Sequence, residues 1–170
     1  GKLDPNALLD FSRAAAIYAR AYKRGHTNTR PSTTLGYEKH TKETSFSLAA
    51  GYHRPVVVVM VQTMSDAVFH NGEELYLDRA EWLKRTATIA DSVNNTTWIF
   101  KRHPNDRLYD VTGTFDRIAE QYADSVHLVF VREEAPTGVL VELSDTMVTV
   151  SSTAGFEFAA TMVPVILAGK

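Results

Sequence analysis

The sequence contains no cysteine, and this absence excludes disulfides, thiolate metal ligands and cysteine nucleophiles. The composition is compatible with a reducing compartment, so we expect a cytoplasmic protein, either free or peripheral at the inner face of the membrane. The histidines are scattered without the spacing of a ligand set, and we therefore expect no bound metal.

Long apolar runs are also missing. The longest one, Val56 to Val61, is far shorter than the roughly 20 residues that a membrane-spanning helix needs. We therefore predict no transmembrane segment. Neither sign of charge dominates, because 18 basic and 20 acidic residues are interspersed and leave a net charge of −2. This balance does not favour nucleic acid as a partner, and any anion must be held locally.

Several motifs with well-understood chemistry are absent as well. The sequence contains no GxGxxG after the first apolar run, no GxxxxGK[ST], no HExxH and no GxSxG. Nicotinamide binding, P-loop ATP hydrolysis, zincin chemistry and a hydrolase nucleophile elbow therefore lose support.

The composition indicates one folded domain, since 170 residues with 44% hydrophobic content fill one core well. Apolar residues at helical spacing predict a helix from Pro5 to Lys23, and a polar connection follows from Gly25 to Arg54. We thus divide the chain into residues 1–54 and a domain of residues 55–170. Because Gly1 is not an initiator methionine and the sequence stops directly after an apolar run, we expect either a fragment or a processed form of a longer protein.

Short runs rich in β-branched residues alternate with helical segments from Pro55 onward. Continuous apolar strands of this kind are typical of a parallel sheet covered on both sides by helices. We therefore predict an α/β, Rossmann-like domain with helices on both faces of the sheet, and we interpret the last run as a core strand. The runs are Val56–Val61, Thr97–Lys101, Val126–Val131, Met147–Val150 and Pro164–Leu167, and the clearest helical segments are Arg79–Val93 and Thr114–Ala123.

Ligands of such sheets bind outside the carboxyl ends of the strands, so the residues after each run are the candidates for a site. Gln62 and Asp66 follow the first run, where either side chain could bind a ligand hydroxyl or position a reacting group. Asp66 could equally serve only to turn the chain. Three potential cationic donors, Lys101, Arg102 and His103, stand at the end of the second run and could donate to a phosphate, although a solvated basic turn fits the same residues.

The fourth run ends in hydroxyl-bearing residues at a strand-to-helix junction. Ser151, Ser152 and Thr153 offer backbone N–H groups and a helix start, both of which favour an anion. Glu157, one turn further on, could accept hydrogen bonds from a ribose diol. The alternative is a plain helix cap in which Glu157 completes a capping box, and the two functions are compatible.

The order of these pieces resembles the capsule polysaccharide biosynthesis family, whose members include Kdo transferases of GT-B architecture. A looser similarity connects them to bacterial sialyl- and polysialyltransferases, which share a His-Pro motif and a Ser-Ser/Thr motif for a CMP-linked donor. The resemblance covers roughly Pro55 to Gly169. It depends on Val58–Gln62 with Asp66, on Trp98–Asn105, and on Val150–Glu157 with Pro164–Ile166.

This resemblance implies a role for each candidate. His103 would contact the nucleotide or its phosphate with help from Lys101, and Glu157 would lie beside the ribose. The three hydroxyl-bearing residues, Ser151, Ser152 and Thr153, would hold the phosphate. The chain would be the C-terminal, donor-binding half of a GT-B enzyme and would need an N-terminal domain as partner. No catalytic residue is assigned, and Asp66 and His103 are the candidates.

The expected function is therefore the transfer of a sugar from a nucleotide-activated donor, CMP-linked by resemblance, to a bacterial surface or capsular glycan. The donor is a substrate, and no cofactor is expected. Two alternatives remain open: a CDP-polyol phosphotransferase of the teichoic-acid type, and a non-catalytic nucleotide-binding or assembly module. The identity of the nucleotide discriminates among them.

Overall fold

A computed structural model of the chain describes residues 52–64, 75–106, 110, 112–131 and 135–169. The predicted helix of residues 5–23, most of the polar connection of residues 25–54, and the candidate Asp66 lie outside the described residues. The division of the chain at residue 55 therefore stays a prediction.

Strands and helices alternate through the described part of the chain. No helix in this part is long and apolar enough to cross a membrane. The elements are β1 (Val56–Met60), α1 (Arg79–Asp91), β2 (Thr97–Lys101), α2 (Thr114–Gln121), β3 (Leu128–Val131), α3 (Thr137–Leu143), β4 (Thr146–Thr149), α4 (Ala154–Ala160) and β5 (Val165–Leu167).

All five strands form one parallel sheet in the order β3-β2-β1-β4-β5. This arrangement confirms the predicted α/β, Rossmann-like fold. β1 lies in the centre because its valines are buried on both faces, which is the pattern that continuous apolar strands predict. Each buried valine contributes roughly 1.5–3 kcal/mol, so β1 anchors both halves of the core.

The side chains of β1 divide the core into two layers. Val57 and Val59 pack with residues of α1 and α2, among them Trp82 and Phe115. The other layer contains Val56 and Val58 together with residues of α3 and α4, namely Leu140, Val141, Ala154 and Phe158. The helices therefore cover the two faces in pairs, and residues 61–64 and 150–153 lie at the carboxyl edge of the sheet.

The prediction that the last run is a core strand is wrong. β5 is the last strand in the sheet order and pairs only with β4 among the described residues. Ile166 and Leu167 are each 56% exposed as a result. Apolar composition suggested burial here, but a strand at the sheet edge lacks the neighbour that would cover it. The third run also begins later than predicted, at Leu128, because Val126 is 90% exposed.

Candidate functional site

The order of strands creates a switch point between β1 and β4. The chain continues from β1 to β2 and β3 on one side of the sheet, and β4 and β5 extend it on the other side. The loops that leave two neighbouring strands in opposite directions open a crevice at their carboxyl ends, where ligands of such folds bind. Residues 61–64 leave β1 at this crevice, and residues 150–153 leave β4.

Two side chains connect the ends of β1 and β4. The Nε2 atom of Gln62 donates a hydrogen bond of 3.3 Å to the Oγ of Ser151. Two residues earlier on each strand, the Thr149 hydroxyl donates to the Met60 carbonyl oxygen at 3.0 Å. Gln62 is only 9% exposed, and its Oε1 accepts no hydrogen bond from the described residues. The structure thus brings two predicted site residues, Gln62 and Ser151, into direct contact across the switch point.

In the loop after β4, three successive backbone N–H groups have no acceptor among the described residues. The ladder to β5 ends where Ala168 N–H donates to Thr149 and Gly169 N–H donates to Val150. In the described part of the chain, the backbone N–H groups of Ser151, Ser152 and Thr153 donate to no protein oxygen. Unpaired consecutive N–H groups produce a local positive potential that favours an anion.

The backbone N–H groups in the first turn of α4 are not among these unpaired donors. The N–H of Ala154 donates to the Oγ of Ser152 at 3.2 Å, and the N–H of Gly155 donates to the Ser152 carbonyl oxygen at 3.0 Å. The N–H of Phe156 is likewise bound to the Thr153 carbonyl oxygen. The first N–H groups of this seven-residue helix are therefore occupied, and the unpaired donors belong to the preceding loop.

Glu157 does not form the alternative capping box. The cap residue Thr153 makes no side-chain capping hydrogen bond, and no hydrogen bond to the Glu157 carboxyl is present among the described residues. The side chain is half-buried, and burial raises the pKa of this carboxyl above its ordinary value. A ligand hydroxyl that donates to Glu157 would stabilise the carboxylate and lower that pKa again.

Lys101 and His103 both lie at the carboxyl end of β2, next to β1. Lys101 is the last residue of the strand, pairs in register with Met60, and has a buried side chain. His103 is half-buried, and its Nδ1 accepts a 3.1 Å hydrogen bond from the backbone N–H of Asn105. This bond places the proton of the neutral ring on Nε2, which is then a hydrogen-bond donor.

Arg102, the third cation of this segment, is held by the protein. Its Nε donates to Asp106 and its NH1 donates to Asp116, both at 3.1 Å. The guanidinium also lies 5.6 Å from the centre of the Phe115 ring. The basic cluster expected from the sequence is therefore divided, because Arg102 serves an internal ion-pair network.

Two buried residues near the site were not predicted as site residues. Asp106 is fully buried, and its carboxylate accepts from the Met64 N–H at 3.2 Å as well as from Arg102. Arg79, the first residue of α1, donates from NH1 to the Thr63 carbonyl oxygen at 2.8 Å. Both residues fix the loop after β1. Their contacts with the loop after β1 join residues 42 and 16 positions apart, so the only available signal was the position of Asp106 just after the His-Pro pair.

The described residues contain no group of three or more His, Asp or Glu side chains that could hold a metal ion. The expectation that the protein binds no metal stays a prediction, because the remainder of the chain, including Asp66, lies outside the described residues. Of the two catalytic candidates, only His103 lies in the described part of the chain.

Comparison with curated proteins finds no match to this chain. A family model does match it: the model for capsule polysaccharide biosynthesis proteins aligns with residues 13–170. The match begins well before Pro55, where the resemblance in the sequence began, and includes most of the polar connection. With nearly its entire length matched and its fold in agreement, this chain belongs to the capsule polysaccharide biosynthesis family and takes part in capsule synthesis.

Proposed function

We propose that this chain binds the phosphate of a nucleotide-activated sugar, CMP-linked, in the crevice between the ends of β1 and β4. It would act as the donor-binding half of a GT-B glycosyltransferase that builds a capsular polysaccharide. The single observation that supports this most is the run of unpaired N–H groups at Ser151, Ser152 and Thr153.

These groups suit the chemistry of a departing nucleotide. When the bond between sugar and phosphate breaks, negative charge develops on the phosphate oxygen, and fixed N–H donors stabilise that charge without reorganising. A donor on Nε2 of His103 at the neighbouring strand end would add to them. Such a site acts by electrostatic stabilisation of the leaving group and needs no metal ion if these donors suffice.

Two further groups at the site can accept hydrogen bonds from a ligand. Gln62 follows β1 at this crevice and Glu157 lies in the first turn of α4, and neither the Oε1 of Gln62 nor the Glu157 carboxyl accepts a hydrogen bond from the described residues. A nucleotide sugar carries hydroxyl donors on its ribose and its sugar, so both acceptors match the proposed ligand. The preference for cytidine follows from the resemblance to CMP-dependent transferases.

Calorimetric titration of CMP, CDP, UMP, UDP, GDP and ADP into the purified chain tests this proposal. We expect CMP to bind at least tenfold more tightly than UMP, a difference of about 1.4 kcal/mol. A preference for uridine nucleotides would remain compatible with a glycosyltransferase but would contradict the proposal that its donor is CMP-linked. If no nucleotide binds to the folded protein, the donor-site proposal is wrong.

A second titration series identifies the transferred group. CMP-Kdo and CMP-sialic acid are compared with CDP-glycerol and CDP-ribitol, and the proposal predicts tighter binding of a CMP-sugar. Tighter binding of a CDP-polyol would instead support a polyol-phosphate transferase. A chain that binds CMP but none of these donors would fit a non-catalytic module.

A further inference from the structure

We propose that Asp106 is a positioning residue, which holds His103 and the loop after β1 in the arrangement that the nucleotide requires. This inference rests on the proposed function, because it concerns the same crevice. No sequence motif identifies Asp106. Its buried ion pair with Arg102 is part of the geometry of the site.

The turn that carries His103 closes on Asp106. The N–H of Asp106 donates to the His103 carbonyl oxygen at 3.0 Å, and the N–H of Asn105 donates to the His103 ring at 3.1 Å. Both the backbone and the ring of His103 are thus fixed by the two residues that follow Pro104. A displacement of Asp106 would move the turn and with it the Nε2 atom of the His103 ring.

The carboxylate of Asp106 connects this turn to the loop after β1. One oxygen accepts the Met64 N–H at 3.2 Å, and the other accepts Arg102 Nε at 3.1 Å. The side chain has no exposed surface. Hydrophobic residues of similar volume often stabilise a core as well as a buried ion pair does, so fixed geometry is a better reason than stability for a carboxylate here.

The connection continues to β4 through Gln62, two residues before Met64. Gln62 reaches Ser151 at 3.3 Å, and Ser151 is the first of the three residues with unpaired N–H groups. Hydrogen bonds therefore connect the exits of β2, β1 and β4 in sequence. Asp106 makes the contact between the first two of these loops.

A double-mutant cycle on CMP affinity separates positioning from general stabilisation. We expect Asp106→Ala to weaken CMP binding about tenfold in the wild-type background and by a clearly smaller factor in a His103→Ala background, because only the contact with the loop after β1 then remains to be lost. Asp116→Asn is the matched control, since Asp116 also contacts Arg102, whereas the hydrogen bond to Met64 in the β1 loop belongs to Asp106. It should leave CMP affinity within about twofold of the wild type.

An equal loss of affinity with and without His103, or no loss at all, would overturn the positioning role.

If Asp106→Ala does not fold, Asp106→Asn is used, and the ring of His103 is observed by nitrogen NMR. The wild type should show the tautomer protonated on Nε2, and Asp106→Asn should show a mixture. An unchanged tautomer would overturn the inference. This readout needs no ligand, so the inference can be judged even if CMP does not bind and the proposed function fails.

Discussion

Replacement of Thr153 by proline should weaken CMP binding at least tenfold without lowering the stability of the protein. Proline has no backbone N–H, so the substitution removes one of the three unpaired donors in the loop after β4. A hydrogen bond to a charged group contributes about 1.5–3 kcal/mol, and the loss of one such bond to a phosphate corresponds to at least a tenfold change in affinity.

The local backbone is suited to this substitution. Thr153 has φ −60° and ψ −23°, close to the values that proline favours at the second position of a type I turn. The turn from Ser152 to Gly155 is closed by the 3.0 Å bond between Gly155 N–H and the Ser152 carbonyl oxygen, which does not involve the Thr153 N–H. Because the native conformation is already compatible, the stability should be unchanged or higher.

Thr153→Ala is the matched control, because it removes the exposed side chain and retains the N–H. We expect calorimetry to show nearly wild-type CMP affinity for the alanine variant and thermal unfolding to show that both variants are folded. Equal affinity of the wild type and the proline variant would mean that this N–H does not bind the ligand. A similar loss in both variants would assign the contact to the hydroxyl.

Removal of the Arg102 side-chain charge is expected to have the largest effect on stability. Arg102→Met leaves the carboxylate of Asp106 fully buried without its cationic partner. Breaking a buried ion pair on one side costs about 3–5 kcal/mol, because the remaining charge is neither solvated nor paired. Urea denaturation at pH 7 measures this loss directly, as a decrease in the free energy of unfolding.

The destabilisation should decrease as the pH is lowered. Burial already raises the pKa of Asp106 in the wild type, and Arg102 opposes that shift. Without Arg102 the folded-state pKa rises further, so the folded variant binds more protons than its unfolded chain in the range between the two pKa values. The stability of the variant therefore falls as the pH rises through that range. Below about pH 3.9, the ordinary pKa of aspartate, Asp106 is neutral in both the folded and the unfolded state, so the unpaired charge no longer destabilises the fold.

Asp116→Asn gives the comparison for this prediction. Asp116 binds the other end of Arg102 at the same distance, but its side chain is 35% exposed, so the loss should be about 1 kcal/mol or less. A pH-independent destabilisation of Arg102→Met would indicate lost packing against Phe115 rather than an unpaired carboxylate. An effect no greater than that of Asp116→Asn would contradict the importance of the buried pair.

The features that follow from local composition were predictable from the sequence. The valines of β1 predicted a strand buried on both faces, and the parallel sheet followed from its alternation with helical segments. The strand bounds agree within about two residues because β-branched runs end at polar residues. The helix α3 gave no clear periodic signal, since it spans only seven residues.

Features that depend on three-dimensional contacts between side chains could not be predicted. Arg102 is chemically equivalent to a phosphate donor in the sequence, and only its contacts with Asp106 and Asp116 show that it is occupied. The first N–H groups of α4 are excluded as donors because Ser152 caps the turn itself, which the sequence did not show. The exposure of β5 depends on strand order, which a run of apolar residues does not specify.

Amide NMR during a CMP titration is the sharpest test of a phosphate site between β1 and β4, because it observes the proposed donors themselves. We expect the N–H signals of Ser151, Ser152 and Thr153 to shift downfield together as CMP binds, with the signal of Gln62 Nε2 following. The amide of Val126, which is exposed at the opposite edge of the sheet, should remain unchanged. Saturable CMP binding that leaves these three amide signals in place would contradict a phosphate site between the ends of β1 and β4.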